Sequence, residues 1–297
     1  MPSTDDSLHG SLVEHLNFSL HTPMYPLRLS TEEIHGTDKL EFHGPFAHIR
    51  SKLDYKYHSN YKRDRQFLQD QIIHSMMDTS LVTDVNTGAL CSVPTRPWIV
   101  FTAGAMGAGK SHTIRSLMHK KRFPLDTFVS VDQDEIRRHL PEFASFVNEN
   151  AETAGILTRK EAGYIAEILT LASMRAGKNV LVDGSLRNSD WYQNYFQQLR
   201  MDYLNLRIAI LHVIAPREAV FQRAAERSLI TGRVVPQETL EMALEQVPKS
   251  IKVLGPMSDF FCELNNAPGA PDIELLTEGE DWESFRTQWS QTCVDQL

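Results

Sequence analysis

An α/β fold, with a mainly parallel sheet covered by helices on both faces and a helical extension in front of it, is what this sequence predicts. Three observations carry the prediction. Apolar runs of strand length alternate with helical patterns from residue 96 onward, a glycine-rich turn joins the first run to the first helix, and acidic residues follow later runs. Alternating strands and helices imply parallel pairing, and ligands on such sheets bind outside the carboxyl ends of the strands.

The elements follow in chain order. Residues 1–45 mix Pro, His, Ser and Asp without a sustained period and read as an irregular arm. From Ala47 to Met77, Ile49, Leu53, Tyr57, Tyr61, Leu68, Ile72 and Met76 recur at helical spacing, predicting a long helix or a helix pair. Asn86, Gly88, Pro94 and Pro97 break that pattern and mark a junction. Residues 1–95 are therefore expected to form an arm and helical extension, and 96–297 the main domain.

Trp98–Ala103 is a continuous apolar strand candidate, followed by a helix from Lys110. Thr127–Val131 is a second strand, Leu157–Arg175 a long helix that Gly177 can end, and Asn179–Asp183 a third strand. Asp190–Arg200 reads as a helix and Leu206–Ala215 as a fourth strand, with Pro216 opening a helix that reaches Arg227. A helix over 238–246, a strand at Phe260–Leu264 and a helix over Trp282–Trp289 complete the prediction.

Composition narrows the function. The 297 residues carry 30 basic and 38 acidic side chains, a formal charge of −8, which argues against a broad phosphate-neutralising surface for nucleic acid. Cys91, Cys262 and Cys293 are odd in number and widely spaced, which suits a reducing compartment and gives no case for a disulfide framework. No secretory signal pattern opens the chain, and no apolar run is long enough to span a bilayer, so a cytoplasmic protein without membrane attachment is expected.

The glycine-rich turn is Gly104-Ala105-Met106-Gly107-Ala108-Gly109-Lys110-Ser111, a full G-x-x-x-x-G-K-[ST] pattern followed by His112. Glycines let the backbone curl so that its N–H groups face phosphates, Lys110 reaches the β- and γ-phosphates, and Ser111 can ligate Mg²⁺. The strand before it and the helix after it are the context that chemistry requires. A P-loop NTPase or kinase fold with ATP and Mg²⁺ as ligands is the expectation.

No N-K-x-D segment and no L-S-G-G-Q-like signature accompanies the loop, so a guanine-specific GTPase and a transporter ATPase are disfavoured. Kinase chemistry needs a carboxylate near the acceptor hydroxyl and cations for the transferred charge. Asp132 and Asp134 follow the second strand; each could instead cap the next helical turn. Asp183 follows the third strand as a Walker B-like acid for Mg²⁺ or substrate, with Arg187 pointing to the same cleft. Arg223, Arg227 and Arg233 flank a short segment around Gly232 that suits a closing lid, since a guanidinium stays charged and binds phosphate bidentately.

Together these residues resemble the zeta toxin family of P-loop kinases, over about 96–265. The resemblance rests on the phosphate loop, the D-x-D-x-x-R of 132–137, the D-G-S-x-R of 183–187 and the arginine lid ending in V-P. It implies transfer of the γ-phosphate of ATP to a hydroxyl of a small acceptor, for which a nucleotide sugar such as UDP-N-acetylglucosamine is the known bacterial case. It further implies Asp134 as catalytic base, Lys110, Arg227 and Arg233 as charge-stabilising residues, and Glu167, Asp183 and Arg187 as the acceptor side, to which Asp132 is added from its place after the second strand. Glu167 enters by its spacing, sixteen residues before Asp183. A second hypothesis stays open: a P-loop ATPase or nucleotide switch that controls a protein partner through the extension. Tyr57, His58, Tyr61, Arg65, Gln66 and Gln69 concentrate polar and aromatic groups there, as a helix that docks on the kinase domain or lies beside its active site.

Overall fold

The computed structural model describes residues 29–78, 80–231 and 235–294. A six-stranded sheet organises it. Its strands are β1 (Trp98–Ala103), β2 (Val129–Val131), β3 (Val180–Val182), β4 (Arg207–Ile214), β5 (Phe260–Asn265) and β6 (Glu274–Leu275). They lie in the order β6-β5-β4-β1-β3-β2, with every pair parallel except β5–β6. All six residues of β1 are buried, as a central strand covered on both faces requires.

The longer helices are α1 (Arg63–Met77), α2 (Lys110–His119), α3 (Pro141–Leu157), α4 (Arg159–Arg175), α5 (Ser189–Asp202), α6 (Arg217–Thr231), α7 (Gln237–Leu254) and α8 (Trp282–Thr287). Two apolar clusters separate by sheet face. On one, Ile99 and Phe101 of β1 join Ile165, Ile168 and Leu169 of α4, Phe196 of α5, and Ile72, Ile73 and Met76 of α1. On the other, Trp98 and Val100 join Ile114 and Leu117 of α2 and Phe285 and Trp289 near the carboxyl end. The segment preceding β1 thus shares a core with the sheet.

Several expectations change in detail. The extension is not one long helix over Ala47–Met77: Ala47–Arg50 makes a single turn, and α1 starts only at Arg63. Between them, Asn60–Tyr61 pairs with Gly36–Thr37, and the Arg50 guanidinium donates to the His43 and Gln66 carbonyls while pairing with Asp70. Within the arm, Thr31–His35 forms a helical turn with a Ser30–Glu33 capping box; residues 1–28 lie outside the described residues.

The helix expected over Leu157–Arg175 is α4, joined at Thr158 to α3. The sequence pattern hides α3 because Asn150 is non-helical, splitting its period. Helix α7 runs past 246 to Leu254 and through Pro248, because Val247, Ile251 and Leu254 are buried beyond the proline. The edge strand β6 has no apolar run to announce it.

The cysteines depart from the expectation of unpaired thiols. Cys91 and Cys293 form a disulfide, with Cα atoms 6.1 Å apart although 202 residues separate them. The junction folds as a Val82–Thr83/Leu90–Cys91 hairpin and bridges the carboxyl-terminal tail through Asp84–Gln291 and Pro94–Cys293. Only the fold brings those two segments together, so spacing could not show the pair. The cysteines therefore no longer argue for a reducing compartment. Among the described residues, no helix is long and apolar enough to cross a membrane.

Candidate active site

Parallel pairing puts the carboxyl ends of β1, β3 and β2 side by side, so the residues that follow them meet. The loop 104–109 leaves β1 and enters α2, with Gly104, Gly107 and Gly109 all at positive φ. A Cβ at Gly104 would collide with the Val213 carbonyl, and one at Gly107 with that of Val220. Only glycine fits such a curl, and the curl presents backbone N–H groups to an anion at the start of α2. The residues thus fit nucleotide phosphates.

Lys110 folds back on this loop, donating to the Gly104 carbonyl at 3.2 Å and the Ala105 carbonyl at 3.4 Å. Burial pulls its pKa below the ordinary lysine value, and the nearby Asp183, Asp132 and Asp134 oppose that pull. Ser111 and His112 are exposed at the mouth of the loop.

Asp183 sits beside the loop because β3 neighbours β1. Thr102 Oγ1 donates to its Oδ1 at 2.6 Å, and Ser111 Oγ lies 3.5 Å from its Oδ2. Mg²⁺ bound with a nucleotide takes few protein oxygens, the rest coming from phosphates and water. The Ser111–Asp183 pair fits that need. Among the described residues no group of three or more His, Cys, Asp or Glu could hold a metal unaided.

The two carboxylates after β2 divide their tasks. Asp132 is the N-cap of the short helix Gln133–Ile136, accepting the Asp134 N–H at 2.7 Å, and burial pushes its pKa up. Asp134 does not cap; its carboxylate pairs with Arg137 and with Arg227 of α6. Arg223, one turn earlier on α6, instead donates to the Ala108 and Asn266 carbonyls and so braces the phosphate loop. Arg233 lies outside the described residues.

Two cavities meet here. One, of about 330 Å³, is lined by Lys110, Asp132, Asp134, Asp183, Arg187 and Arg227 among others. The second, of about 600 Å³, shares Gln133 and Asp183 with it and continues to Glu167 on α4 and to Trp191, Tyr192 and Tyr195 on α5. Of the sequence-predicted residues, Met106, Lys110, Asp132, Asp134, Asp183, Arg187 and Arg227 line the first cavity and Asp183 and Glu167 the second, whereas the loop glycines, Ser111 and His112 line neither. Gln133, the aromatic face of α5 and Asn266, whose Nδ2 donates to the Ala108 carbonyl at 2.9 Å, were not foreseen from sequence. The i, i+1, i+4 spacing of Trp191, Tyr192 and Tyr195 was the available signal for the aromatic face.

The extension reaches the second cavity: Asp54, Tyr57 and His58 line it. His58 Nε2 is 2.8 Å from Glu167 Oε2. Arg65, Gln66 and Gln69 turn elsewhere. Arg65 makes paired bonds to both Glu142 and Glu161, Gln69 donates to Glu161, and Gln66 bonds the backbone of Glu41 and Tyr61.

A mainly parallel sheet with this loop after β1, and acids after β3 and β2, the next two strands to one side, defines a P-loop nucleotide-binding protein of the kinase type. The chain belongs to the zeta toxin family, whose model matches residues 83–258, more than half its length. That family consists of ATP-binding, kinase-like toxins of toxin–antitoxin systems, and its members are phosphotransferases.

Solved structures share the fold at low identity. A structure from the PezAT chromosomal toxin–antitoxin system of the human pathogen Streptococcus pneumoniae is 16% identical, with a TM-score of 0.56 over 77% of this chain and 88% of that one. The AvrRxo1-ORF1:AvrRxo1-ORF2 complex with ATP is 14% identical, with a TM-score of 0.57 over 84% and 76%. The same complex with sulphate ions gives 15% and 0.57. No curated protein matches the chain.

Proposed function

We propose that this protein transfers the γ-phosphate of ATP to a hydroxyl of a small acceptor held in the 600 Å³ cavity, with a nucleotide sugar such as UDP-N-acetylglucosamine the first candidate. One observation carries the reading. The phosphate-loop cavity and a second, aromatic- and carboxylate-lined cavity share Gln133 and Asp183, so a donor in one abuts an acceptor in the other. A hydrolase needs no second cavity of this kind.

The roles follow from position. Lys110 and the loop N–H groups hold the β- and γ-phosphates. Asp134 accepts the acceptor's proton, and Asp132, capped into the backbone, holds Asp134 in place. Arg227, and Arg233 beyond it, stabilise the transferring charge; Arg227 exchanges its Asp134 partner for phosphate oxygens as the nucleotide arrives. Arg187, Asp183 and Glu167 bind the acceptor. When bound through Ser111 and Asp183, Mg²⁺ neutralises charge on the phosphates. By analogy with the toxin–antitoxin system and the two-protein complex among the similar structures, a protein partner belongs to this reading, and a cytoplasmic site of action is kept from the sequence expectation.

The competing reading, a nucleotide switch acting through the extension, has less support, because buried ion pairs fix that extension to α3 and α4. Labelled ATP with a panel of nucleotide sugars, nucleosides and nucleotides tests the proposal, with Asp134→Asn beside the wild type. Asn matches Asp in size, so ATP affinity and melting temperature should hold while phosphoryl transfer falls by at least about a hundredfold. Wild-type transfer by Asp134→Asn would remove Asp134 as the base.

A further inference from the structure

We infer that the segment before the family-matched region is a fixed wall of the acceptor site, and that His58 is a positioning residue that aims Glu167 at the acceptor. The inference rests on the kinase reading above and adds to it residues outside the match, which starts at residue 83.

His58 lies between two cavities and lines both: the 600 Å³ acceptor cavity and one of about 650 Å³ within the extension. Its side chain is 3% exposed, whereas that of Glu167 is 47% exposed. Nε2 meets Glu167 Oε2, and the Glu167 carboxylate makes no other hydrogen bond among the described residues. One carboxylate oxygen is therefore tethered and the other is left for a ligand. Buried His58 Nδ1 has no hydrogen-bond partner among the described residues.

The tether is rigid. The His58 ring packs edge-on against Tyr57 and Tyr164, at 4.8 and 5.4 Å between centroids. Lys160 of α4 donates to the Tyr57 carbonyl at 2.9 Å. Farther back, Arg65 binds Glu142 and Glu161, all three buried, so the extension cannot lift away without stranding charge. Across the cavity, Trp191 and Tyr195 stack at 4.9 Å. A carboxylate steadied by an imidazole suits neighbouring hydroxyls, and an aromatic face suits a planar ring or a sugar face. The acceptor class is accordingly a sugar or ribose carrying adjacent hydroxyls.

The test uses full-length His58→Ala, His58→Gln and, as a milder change at an exposed position, Tyr57→Ala. With the acceptor that scores in the panel, His58→Ala should raise the acceptor KM at least about tenfold while ATP affinity stays within about twofold. His58→Gln, which can still donate to Glu167, should recover part of that loss. Folded His58→Ala and Tyr57→Ala with wild-type acceptor KM would overturn the inference. A wild type that phosphorylates nothing in the panel would sink the kinase reading alone. The wall is then read by binding, as tryptophan fluorescence on titrating UDP-N-acetylglucosamine, AMP and ribose 5-phosphate, with Trp191→Phe marking the cavity signal. Saturable binding weakened by His58→Ala would support the wall, and absence of binding to the wild type would overturn it.

Discussion

Replacing Arg65 with Met should destabilise the whole protein and, through it, the acceptor wall. Arg65 reaches Glu142 and Glu161 with N–O distances of 2.6 to 2.8 Å, and neither carboxylate is more than 1% exposed. Removing one partner of a buried pair typically costs about 3–5 kcal/mol, because the remaining charge is stranded. The Glu142 titration gives an independent scale. Burial pushes its carboxyl up, but the bonds from His35 and Arg65 outweigh burial and pull it from 4.5 down to about 2. At about 1.4 kcal/mol per pH unit, that fall corresponds to about 3 kcal/mol. A carboxyl lowered in the folded state contributes fully above its unfolded value and loses that contribution as pH falls toward 2. Arg65→Met should therefore lower the melting temperature at pH 7 by on the order of 10 °C. It should also flatten the acid limb of stability below about pH 4.5. Calorimetry and urea unfolding across pH 2–7 measure both. Lys249→Met, which breaks an exposed pair with Glu245, serves as the control without measurable effect. A loss below about 1 kcal/mol with an unchanged acid limb would refute the reasoning.

Lys110→Ala should cut ATP-dependent turnover by at least about two orders of magnitude, read as labelled phosphate transferred by a folded variant; near-normal turnover would disqualify the loop. Arg227→Ala should reduce kcat more than ATP affinity, because its partner before the nucleotide binds is Asp134 rather than the loop; a variant impaired only in ATP binding would contradict the role given to it. Reducing the Cys91–Cys293 bond, or Cys91→Ser, should lower stability by up to about 5 kcal/mol, since the bond closes a 202-residue separation. Identical denaturation curves with and without reductant would show that this bond holds nothing together.

The sequence by itself determined the sheet and the nucleotide loop. Both are written in contiguous residues: the apolar run Trp98–Ala103, the glycines at 104, 107 and 109 that alone tolerate the loop's backbone, and Lys110 at the head of α2. Strand order was not written locally. Only the placing of β3 between β1 and β2 sets Asp183 between the loop and Asp134. In sequence Asp132 and Asp134 could each cap the next helical turn, with Asp134 the favoured base, and hydrogen bonding gives the cap to Asp132 and the arginine pairs to Asp134. The acceptor wall was least legible of all. His58 and Glu167 are 109 residues apart and Cys91 and Cys293 are 202 apart, and no periodic pattern links either pair. The contact of His58 with Glu167 exists because the apolar side chains of α1 and α4 share one core and Arg65 locks that packing with buried charge. Short-range patterns fix elements and loops, whereas contacts of long sequence separation are decided by which faces are buried together.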